Sequence, residues 1–251
     1  MDAAGLLLHI PHSATAIPED VRRRILLDDR ELQAEIIALT DLHTDVLYQV
    51  EGVAAVRYGY CRLVADPERF RDDAEEPLAM RGHGAVYVET EDGRPLRVLE
   101  RGEREELLAR FYDPHHEALS AEVDRILGRH GRCLIVDAHS FPSSPLGYED
   151  QDPRPRPDLC IGTCDFHTPQ DVAAEIERAA GKHGLSVVRN WPYAGTLTPM
   201  RYYRKDRRVQ SVMIEVNRAL YMDERTGDRG PRFESTRGFL RTLIEALAGM
   251  C

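Results

Sequence analysis

Short apolar runs recur along the chain and predict the strands of a sheet. They cover residues 6–10, 53–58, 133–136, 159–163, 186–190 and 212–216. Continuous apolar runs of this length are typical of strands that are buried in a largely parallel sheet. Amphipathic segments alternate with them and predict helices over 28–50, 104–130, 170–183 and 232–250. The alternation predicts an α/β fold, a single three-layer α/β/α domain over residues 1–251 with a mixed, mostly parallel sheet.

Three local features complicate this pattern. Residues 40–45, Thr-Asp-Leu-His-Thr-Asp, either interrupt the first helix or lie on it, and Pro114 is a candidate break in the second. Residues 82–94 predict a β-hairpin with a turn at Asp92-Gly93. His115 and His116 are adjacent and cannot share one helical face, so we interpret both as surface or capping histidines.

Polar residues stand at or near the ends of three predicted strands. His12 follows the first run, Asp137 and His139 follow the third, and Glu215 lies inside the last. In open α/β sheets the ligand crevice lies outside the carboxyl ends of the strands. Residues two apart on a strand point to the same side, so Asp137 and His139 can face one site. The plainer alternative is that this pair only hydrogen-bonds loop backbone at the strand end.

Glu215 strengthens the case for a site. A carboxylate inside an apolar run is costly to bury unless it is paired, hydrogen-bonded or near a metal. Three strands that deliver His, His and Glu therefore indicate a functional site rather than three unrelated strand ends.

Composition narrows the class of protein. The 251 residues with 42% hydrophobic content suffice for one large core, and the net charge of −10 argues against a nucleic-acid partner. The apolar runs are far shorter than the roughly 18 residues of a membrane span, so we expect no membrane partner. The segment Met1–Gly5 has no basic region, so we expect no signal peptide.

Cysteine usage points to a reducing compartment. The chain has five scattered cysteines, an odd number, which favours reduced thiols in a cytoplasmic protein over a disulfide framework. Cys160 and Cys164 are four apart, but no second pair completes a structural zinc site.

The residues at the strand ends suit metal-assisted hydrolysis. A catalytic zinc ion takes three protein ligands from His and carboxylate side chains and keeps one position for water. His12, His139 and one residue of the 41–45 segment are plausible ligands, and Glu215 is the plausible general base. Asp137 is suited to orient His139 as an outer partner. The chain has no His-Glu-x-x-His motif, so distant segments would have to build this site.

Other readings of the polar residues stay open. Ser13 and Ser140 each follow a histidine, but the chain lacks the Gly-x-Ser-x-Gly elbow of a serine hydrolase. Arg62 and Arg69 suit a clamp for a substrate carboxylate, or else form ion pairs in a solvated loop.

A later strand end adds one more candidate segment. Asn190, Tyr193 and Gly195 follow the run at 186–190 and are suited either to hydrogen-bond a ligand or to form a structural turn.

The order of these motifs resembles the N-formylglutamate amidohydrolase family from about Leu6 to Leu247. The resemblance is carried by Pro11-His12-Ser13, Thr40-Asp41-Leu42-His43, Arg62…Asp66…Arg69, Asp137-Ala138-His139-Ser140, Asn190…Tyr193…Gly195 and Ile214-Glu215…Leu220-Tyr221. The family looks related to zinc carboxypeptidases and aspartoacylases, which implies a phosphorylase/hydrolase-like α/β/α fold.

The resemblance also implies roles for individual residues. It implies a zinc ion, or another divalent metal, on His12 and His139, with Glu215 as general base. It favours Asp41 as the middle ligand, with His43 as the alternative. It makes Arg62 and Arg69 the arginines that bind the substrate carboxylate, and the segment with Asn190 and Tyr193 a wall of the substrate pocket.

Two departures leave the substrate open. Where the family tends to read Asp-x-Asn-Arg, this chain reads Asp66-Pro67-Glu68-Arg69, and Gly195-Thr196 stands where a Gly-Gly pair is usual. The expected substrate is therefore N-formyl-L-glutamate or a related small N-acyl amino acid. A non-catalytic small-molecule binding protein and a metallo-carboxypeptidase-like peptidase are the alternatives.

Overall fold

A six-stranded sheet forms the centre of the protein in a computed structural model, which describes residues 5–251. The strands are β1 Leu6–Ile10, β2 Ala54–Arg57, β3 Cys133–Phe141, β4 Leu159–Gly162, β5 Val187–Arg189 and β6 Val209–Asn217. Their spatial order is β2-β1-β3-β6-β4-β5, and every neighbouring pair is parallel except β4 and β6. The prediction of a mixed, mostly parallel sheet is confirmed.

Helices cover both faces of the sheet. The α-helices are α1 Glu19–Arg22, α2 Asp29–Leu39, α3 Thr44–Leu47, α4 Glu103–Leu107, α5 Asp113–His130, α6 Gln170–Lys182 and α7 Phe233–Ala248, and the 3₁₀ turns are Pro77–Arg81 and Arg218–Leu220. One core joins the sheet to α3, α6 and α7, and a second core joins its other face to α5. These layers confirm the predicted α/β/α architecture.

Side chains alternate between the two faces of the sheet, and this alternation decides which of them face the candidate site. In β1, β3 and β6 the even-numbered apolar residues pack into the core shared with α6 and α7. The odd-numbered residues therefore face α5. Register pairs His9 with Asp137 and His139 with Glu215 across neighbouring strands. Three neighbouring strands thus carry these polar residues side by side, at the carboxyl ends of β1 and β3 and beside them on β6.

The segment at 28–50 forms two helices, because residues 40–45 interrupt the predicted helix. Asp28 caps α2 through a reciprocal capping box with Glu31, and α2 ends at Leu39. His43 then adopts a left-handed conformation, with φ of 70°, and α3 begins after it. The interruption places Asp41 in a loop beside the sheet rather than on a helix.

The segment at 104–130 departs from the prediction in two respects. A π-helical turn at Leu108–Tyr112 joins α4 to α5, whereas Pro114 lies in the first turn of α5, where a missing N–H costs little. The interpretation of the two histidines as surface residues is wrong for His115. Its ring is buried because α5 packs against β1 and brings it to His9.

The predicted turn at Asp92-Gly93 is present, but the predicted hairpin at 82–94 does not form a regular two-stranded ladder. The chain makes one isolated bridge, between Glu89 and Pro95, around a turn at Asp92-Gly93. Val86 and Tyr87 are buried in two different apolar clusters, so this segment does not alternate between one core and solvent.

Within residues 5–251, no helix is both long and apolar enough to cross a membrane. The five cysteines are free thiols, and the Sγ atom of Cys160 donates a hydrogen bond to the carbonyl of Tyr193. Residues 1–4, on which part of the signal-peptide prediction rests, lie outside the described residues.

Candidate active site

Three buried donor atoms from distant parts of the chain converge at the carboxyl edge of the sheet. Asp41 Oδ2 lies 3.1 Å from His139 Nδ1 and 3.7 Å from His12 Nδ1. His12 follows β1, Asp41 follows α2, and His139 is on β3. The fold therefore brings together three residues that the sequence suggested as candidate metal ligands, with Asp41 rather than His43 in the middle position.

The spacing and chemistry of this triad fit a divalent metal ion. Bonds of about 2.0–2.2 Å from zinc to nitrogen or oxygen place tetrahedral ligand atoms roughly 3.3 Å apart. The Nδ1 atom of His12 is buried and has no hydrogen-bond partner within residues 5–251. An orphaned nitrogen that faces a carboxylate and a second imidazole is an arrangement that a metal ion satisfies.

Carboxylates on the far side of both imidazoles fix their orientation. Nε2 of His12 lies 2.8 Å from Asp66 Oδ1, and Nε2 of His139 lies 3.1 Å from Asp137 Oδ1. When each Nε2 carries the proton that is donated to its carboxylate, each Nδ1 keeps its lone pair for a ligand. Asp66 and Asp137 thus hold both rings in the tautomer that metal binding needs.

Arg218 holds the third member of the triad. Its Nη2 atom donates to Asp41 Oδ1 at 2.9 Å, while the other carboxylate oxygen, Oδ2, faces the imidazoles. Burial would raise the pKa of Asp41, but His12, His139 and the positive charge of Arg218 hold it well below its usual range. Asp41 is therefore ionised and directed at the triad.

Glu215 lies next to this triad on β6, in register with His139. Its Oε2 atom is buried and has no hydrogen-bond partner among the described residues. Burial raises the pKa of Glu215 to about 8, with a further contribution from Asp41 and opposition from the charges of His139 and Arg218. An uncommitted carboxylate beside a candidate metal centre is suited to accept and deliver a proton.

A cavity of about 1120 Å³ opens onto the triad, and its wall includes Glu215, Arg62, Arg69 and Tyr193. Arg62 is committed, because it donates to Asp66 at 2.7 Å and to the carbonyl of Leu39. The Arg69 side chain makes no hydrogen bond within residues 5–251, and the nearest acidic oxygen, on Asp66, is 3.9 Å away. Arg69 is therefore the arginine whose donors remain available to a ligand.

The remaining predicted residues take different places. Tyr193 lines the cavity and donates its hydroxyl proton to Glu149. Asn190 lies outside the lining of the cavity and adopts a φ of 54°. Its side chain makes two hydrogen bonds of 2.8 Å with Thr163. His43 also lies outside the lining, with Nε2 2.8 Å from the carbonyl oxygen of Gly227.

Ser140 lacks the surroundings of a catalytic nucleophile. Its hydroxyl oxygen accepts hydrogen bonds from Tyr221 and Arg218, and no imidazole hydrogen-bonds it among the described residues. The geometry therefore gives no nucleophile–base pair at Ser140.

Sequence reasoning missed several residues around the triad. Nδ1 of His9 lies 2.8 Å from Asp137 and 3.2 Å from Glu68, and its Nε2 lies 2.8 Å from His115 Nε2. His9 could have been found from the sequence, because it is an odd-numbered residue of β1 and the odd-numbered strand residues share one face of the sheet. Neither His115 nor Arg218 carried a comparable signal, because helix packing brings the first to the site and an ion pair holds the second.

The fold and this cluster describe a hydrolase with a candidate metal centre, and known proteins agree with that class. A family profile described as N-formylglutamate amidohydrolase matches residues 4–222. N-formylglutamate deformylase of Pseudomonas aeruginosa is 30% identical over 96% of this chain and 92% of its own length. The Pseudomonas putida protein of the same name is 28% identical over 96% and 91%.

A solved structure agrees with both sequence relatives. The crystal structure of N-formylglutamate amidohydrolase from Ralstonia eutropha JMP134 superposes with a TM-score of 0.87 at 26% identity, covering 100% of this chain and 95% of that one. The chain belongs to the N-formylglutamate amidohydrolase family, and it is an amide-cleaving hydrolase. The resemblance in the sequence motifs is thereby confirmed, and an enzyme is favoured over a non-catalytic binding protein.

Proposed function

We propose that this protein hydrolyses the formyl amide of N-formyl-L-glutamate, or of a related N-acyl amino acid, with a zinc ion held by His12, Asp41 and His139. The observation that carries this proposal is the convergence of three buried donor atoms beside the uncommitted carboxylate of Glu215. The names of the two Pseudomonas relatives support the substrate class.

The overall reaction adds water across the amide bond. The water oxygen bonds to the acyl carbon, the carbon–nitrogen bond breaks, and the leaving nitrogen gains a proton, which yields formate and the free amino acid. When bound, the metal ion polarises the amide carbonyl and lowers the pKa of the attacking water.

Glu215 moves the proton. Its carboxylate accepts the proton of the attacking water and delivers it to the departing nitrogen. Burial raises the pKa of Glu215 to about 8 although the charges of His139 and Arg218 oppose this rise. A dication held by the triad would lower this pKa further, towards the range of a base. Because the side chain is buried, few competing hydrogen bonds to bulk water interfere with the transfer.

Other residues bind and orient the substrate. The guanidinium of Arg69 is free to bind the α-carboxylate bidentately. Tyr193 forms part of the cavity wall that would face the substrate. Asn190 acts indirectly, because its Oδ1 atom accepts the N–H of Gly195 at 3.4 Å and so steadies the loop that carries Tyr193.

The Glu215→Gln variant tests the role of the base. We expect it to lower kcat by about 10²- to 10⁴-fold while the protein keeps its metal, because glutamine preserves shape but cannot accept the proton. The measurements are formate release from N-formyl-L-glutamate and metal content by mass spectrometry.

The matched control is Glu35→Gln, which makes the same substitution at another buried glutamate outside the cavity. We expect this control to keep wild-type turnover. Equal turnover in Glu215→Gln and wild type would contradict the proposed role of Glu215. Absence of bound metal from the active wild-type enzyme would contradict the metal site.

A further inference from the structure

Two adjacent residues of opposite charge, Glu68 and Arg69, stand on the wall of the cavity. The other charged groups around the triad are committed to one another: Arg62 bonds Asp66, and Arg218 bonds Asp41. In contrast, neither the Arg69 guanidinium nor the Glu68 carboxylate makes a well-aligned hydrogen bond within residues 5–251. Besides Glu215, to which the proposed function gives the proton transfer, the inner cavity therefore offers a ligand one cation, Arg69, and one anion, Glu68.

The negative charge of Glu68 is only partly balanced by its surroundings. Glu68 Oε1 lies 3.2 Å from His9 Nδ1, but Asp137 occupies the same nitrogen at 2.8 Å. Two carboxylates thus share this one imidazole nitrogen, and Asp137 holds the shorter contact to it. Burial would lower the pKa of His9, but Asp137 and Glu68 raise it to about 9, which supports the protonated form.

Glu68 is also close to the reacting centre. Its Oε1 atom lies 3.8 Å from Nε2 of His139, the ring whose opposite nitrogen faces Asp41. The side chain is 13% exposed, and that exposure is towards the cavity that it lines. Glu68 therefore stands on the cavity wall beside the His139 ring, and its exposed part can meet a substrate group that extends from the triad along this wall.

We propose that Glu68 makes this enzyme selective for N-acyl amino acids whose side chain donates a hydrogen bond, such as a carboxamide, over those with a second carboxylate. This inference rests on the proposed function. Arg69 is available to bind the α-carboxylate, whereas each of the other arginines on the described cavity wall forms an ion pair: Arg62, Arg71, Arg201 and Arg218. A carboxamide N–H pairs with Glu68, whereas a carboxylate at that position is repelled by it.

The test compares N-formyl-L-glutamine with N-formyl-L-glutamate, two substrates of nearly equal size. We expect kcat/KM of the wild-type enzyme to favour the glutamine compound by at least about tenfold. The Glu68→Gln variant removes the charge and keeps the shape, so we expect the preference to move towards the glutamate compound by at least about tenfold. The matched control is Glu51→Gln, at an exposed glutamate outside the cavity lining with no ion pair or hydrogen bond from its carboxylate within residues 5–251, and it should keep the wild-type ratio.

A second measurement separates this inference from the proposed function. The dissociation constants of both compounds for the Glu215→Gln variant, measured by calorimetry, report the preference without turnover. Preference for glutamate in either measurement, or a ratio that Glu68→Gln leaves unchanged, overturns the inference while formate release still supports the proposed function. If Glu68→Gln fails to fold, the ratio of kcat/KM values of the wild-type enzyme for the two compounds decides alone whether the inference holds.

Discussion

His12 and His139 present the same ring nitrogen to Asp41 because a different carboxylate holds the opposite nitrogen of each ring. The two histidines of the triad could be predicted from the sequence, because both stand at the carboxyl ends of strands, where ligands bind in α/β sheets. Of the two outer partners, Asp137 was predicted from its position two residues before His139, whereas Asp66 was not. Asp66 lies 54 positions from His12 and belongs to no element whose period would mark it.

Glu35 illustrates a buried charge with a cost to stability. Its Oε1 atom accepts the backbone N–H of Glu91 at 2.7 Å, and burial raises its pKa to about 7. A raised carboxyl pKa means that folding favours the protonated form. The cost of the buried charge in folding free energy is therefore absent below the unfolded pKa near 4.5. It grows between that pH and pH 7, and it is complete above pH 7.

We therefore expect Glu35→Gln to raise the free energy of unfolding at pH 8 by on the order of 2 kcal/mol, and to leave it unchanged near pH 4. Glutamine keeps an oxygen for the N–H of Glu91 but carries no charge. Urea unfolding of both proteins at several pH values measures the difference. A constant difference across that range would show that the charge of Glu35 does not limit stability.

At the scale of elements, apolar runs identified all six strands but not their partners. The apolar stretch at 159–163 predicts β4, and nothing in its composition shows that β4 runs antiparallel to β6. That pairing opposes Cys160 to Glu215 and brings the loop after β5 over the site. The predicted helix boundaries were wrong where the backbone departs from regular helical geometry, at His43 and in the π-helical turn. Hydrophobic periodicity alone does not reveal such local deviations.

Gly162 at the end of β4 shows how closely this loop approaches the sheet. A Cβ atom at this position would overlap the carbonyl oxygen of Gly195 and the side chain of Met213. We expect Gly162→Ala to lower the free energy of unfolding by about 1–3 kcal/mol and to raise KM several-fold, since the loop that carries Tyr193 must move. Denaturant unfolding and steady-state kinetics measure the two effects.

The control for this change is Gly181→Ala in α6, where a Cβ atom meets no other atom within 4 Å. Alanine in a helix loses less backbone entropy than glycine, so we expect this control to gain roughly 0.5 kcal/mol with unchanged KM. An unaltered KM in Gly162→Ala would show that the loop position does not set substrate affinity.

At the scale of the whole molecule, the site depends on an order of strands that differs from their order in the chain. β3 lies between β1 and β6, so residues 9, 137, 139 and 215 become neighbours although more than 200 positions separate the first from the last. The sequence predicts that the carboxyl ends of parallel strands share an edge, but it does not predict which strands are adjacent. The class of site was therefore predictable, whereas contacts such as that of His9 with His115 were not.

The same long-range assembly predicts that metal binding stabilises the entire fold. The triad joins the end of β1, the loop after α2 and β3, and the carboxylates of Asp41 and Asp137 are near enough to Glu215 to raise its pKa. A bound dication relieves their mutual repulsion and cross-links the three segments. A ligand that binds only the folded state, at 100 times its dissociation constant, stabilises that state by about 2.7 kcal/mol.

We therefore expect a chelator to lower the Tm of the purified protein by roughly 5–10 °C, and added zinc to restore it. The Asp41→Asn variant removes the middle ligand charge, so its Tm should respond much less to zinc or chelator. Calorimetry of both proteins, with metal content measured on the same samples, gives the comparison. If chelation empties the site without any change in Tm, the metal does not hold these segments together, and the buried carboxylates must be balanced by protonated histidines and by the arginines around them.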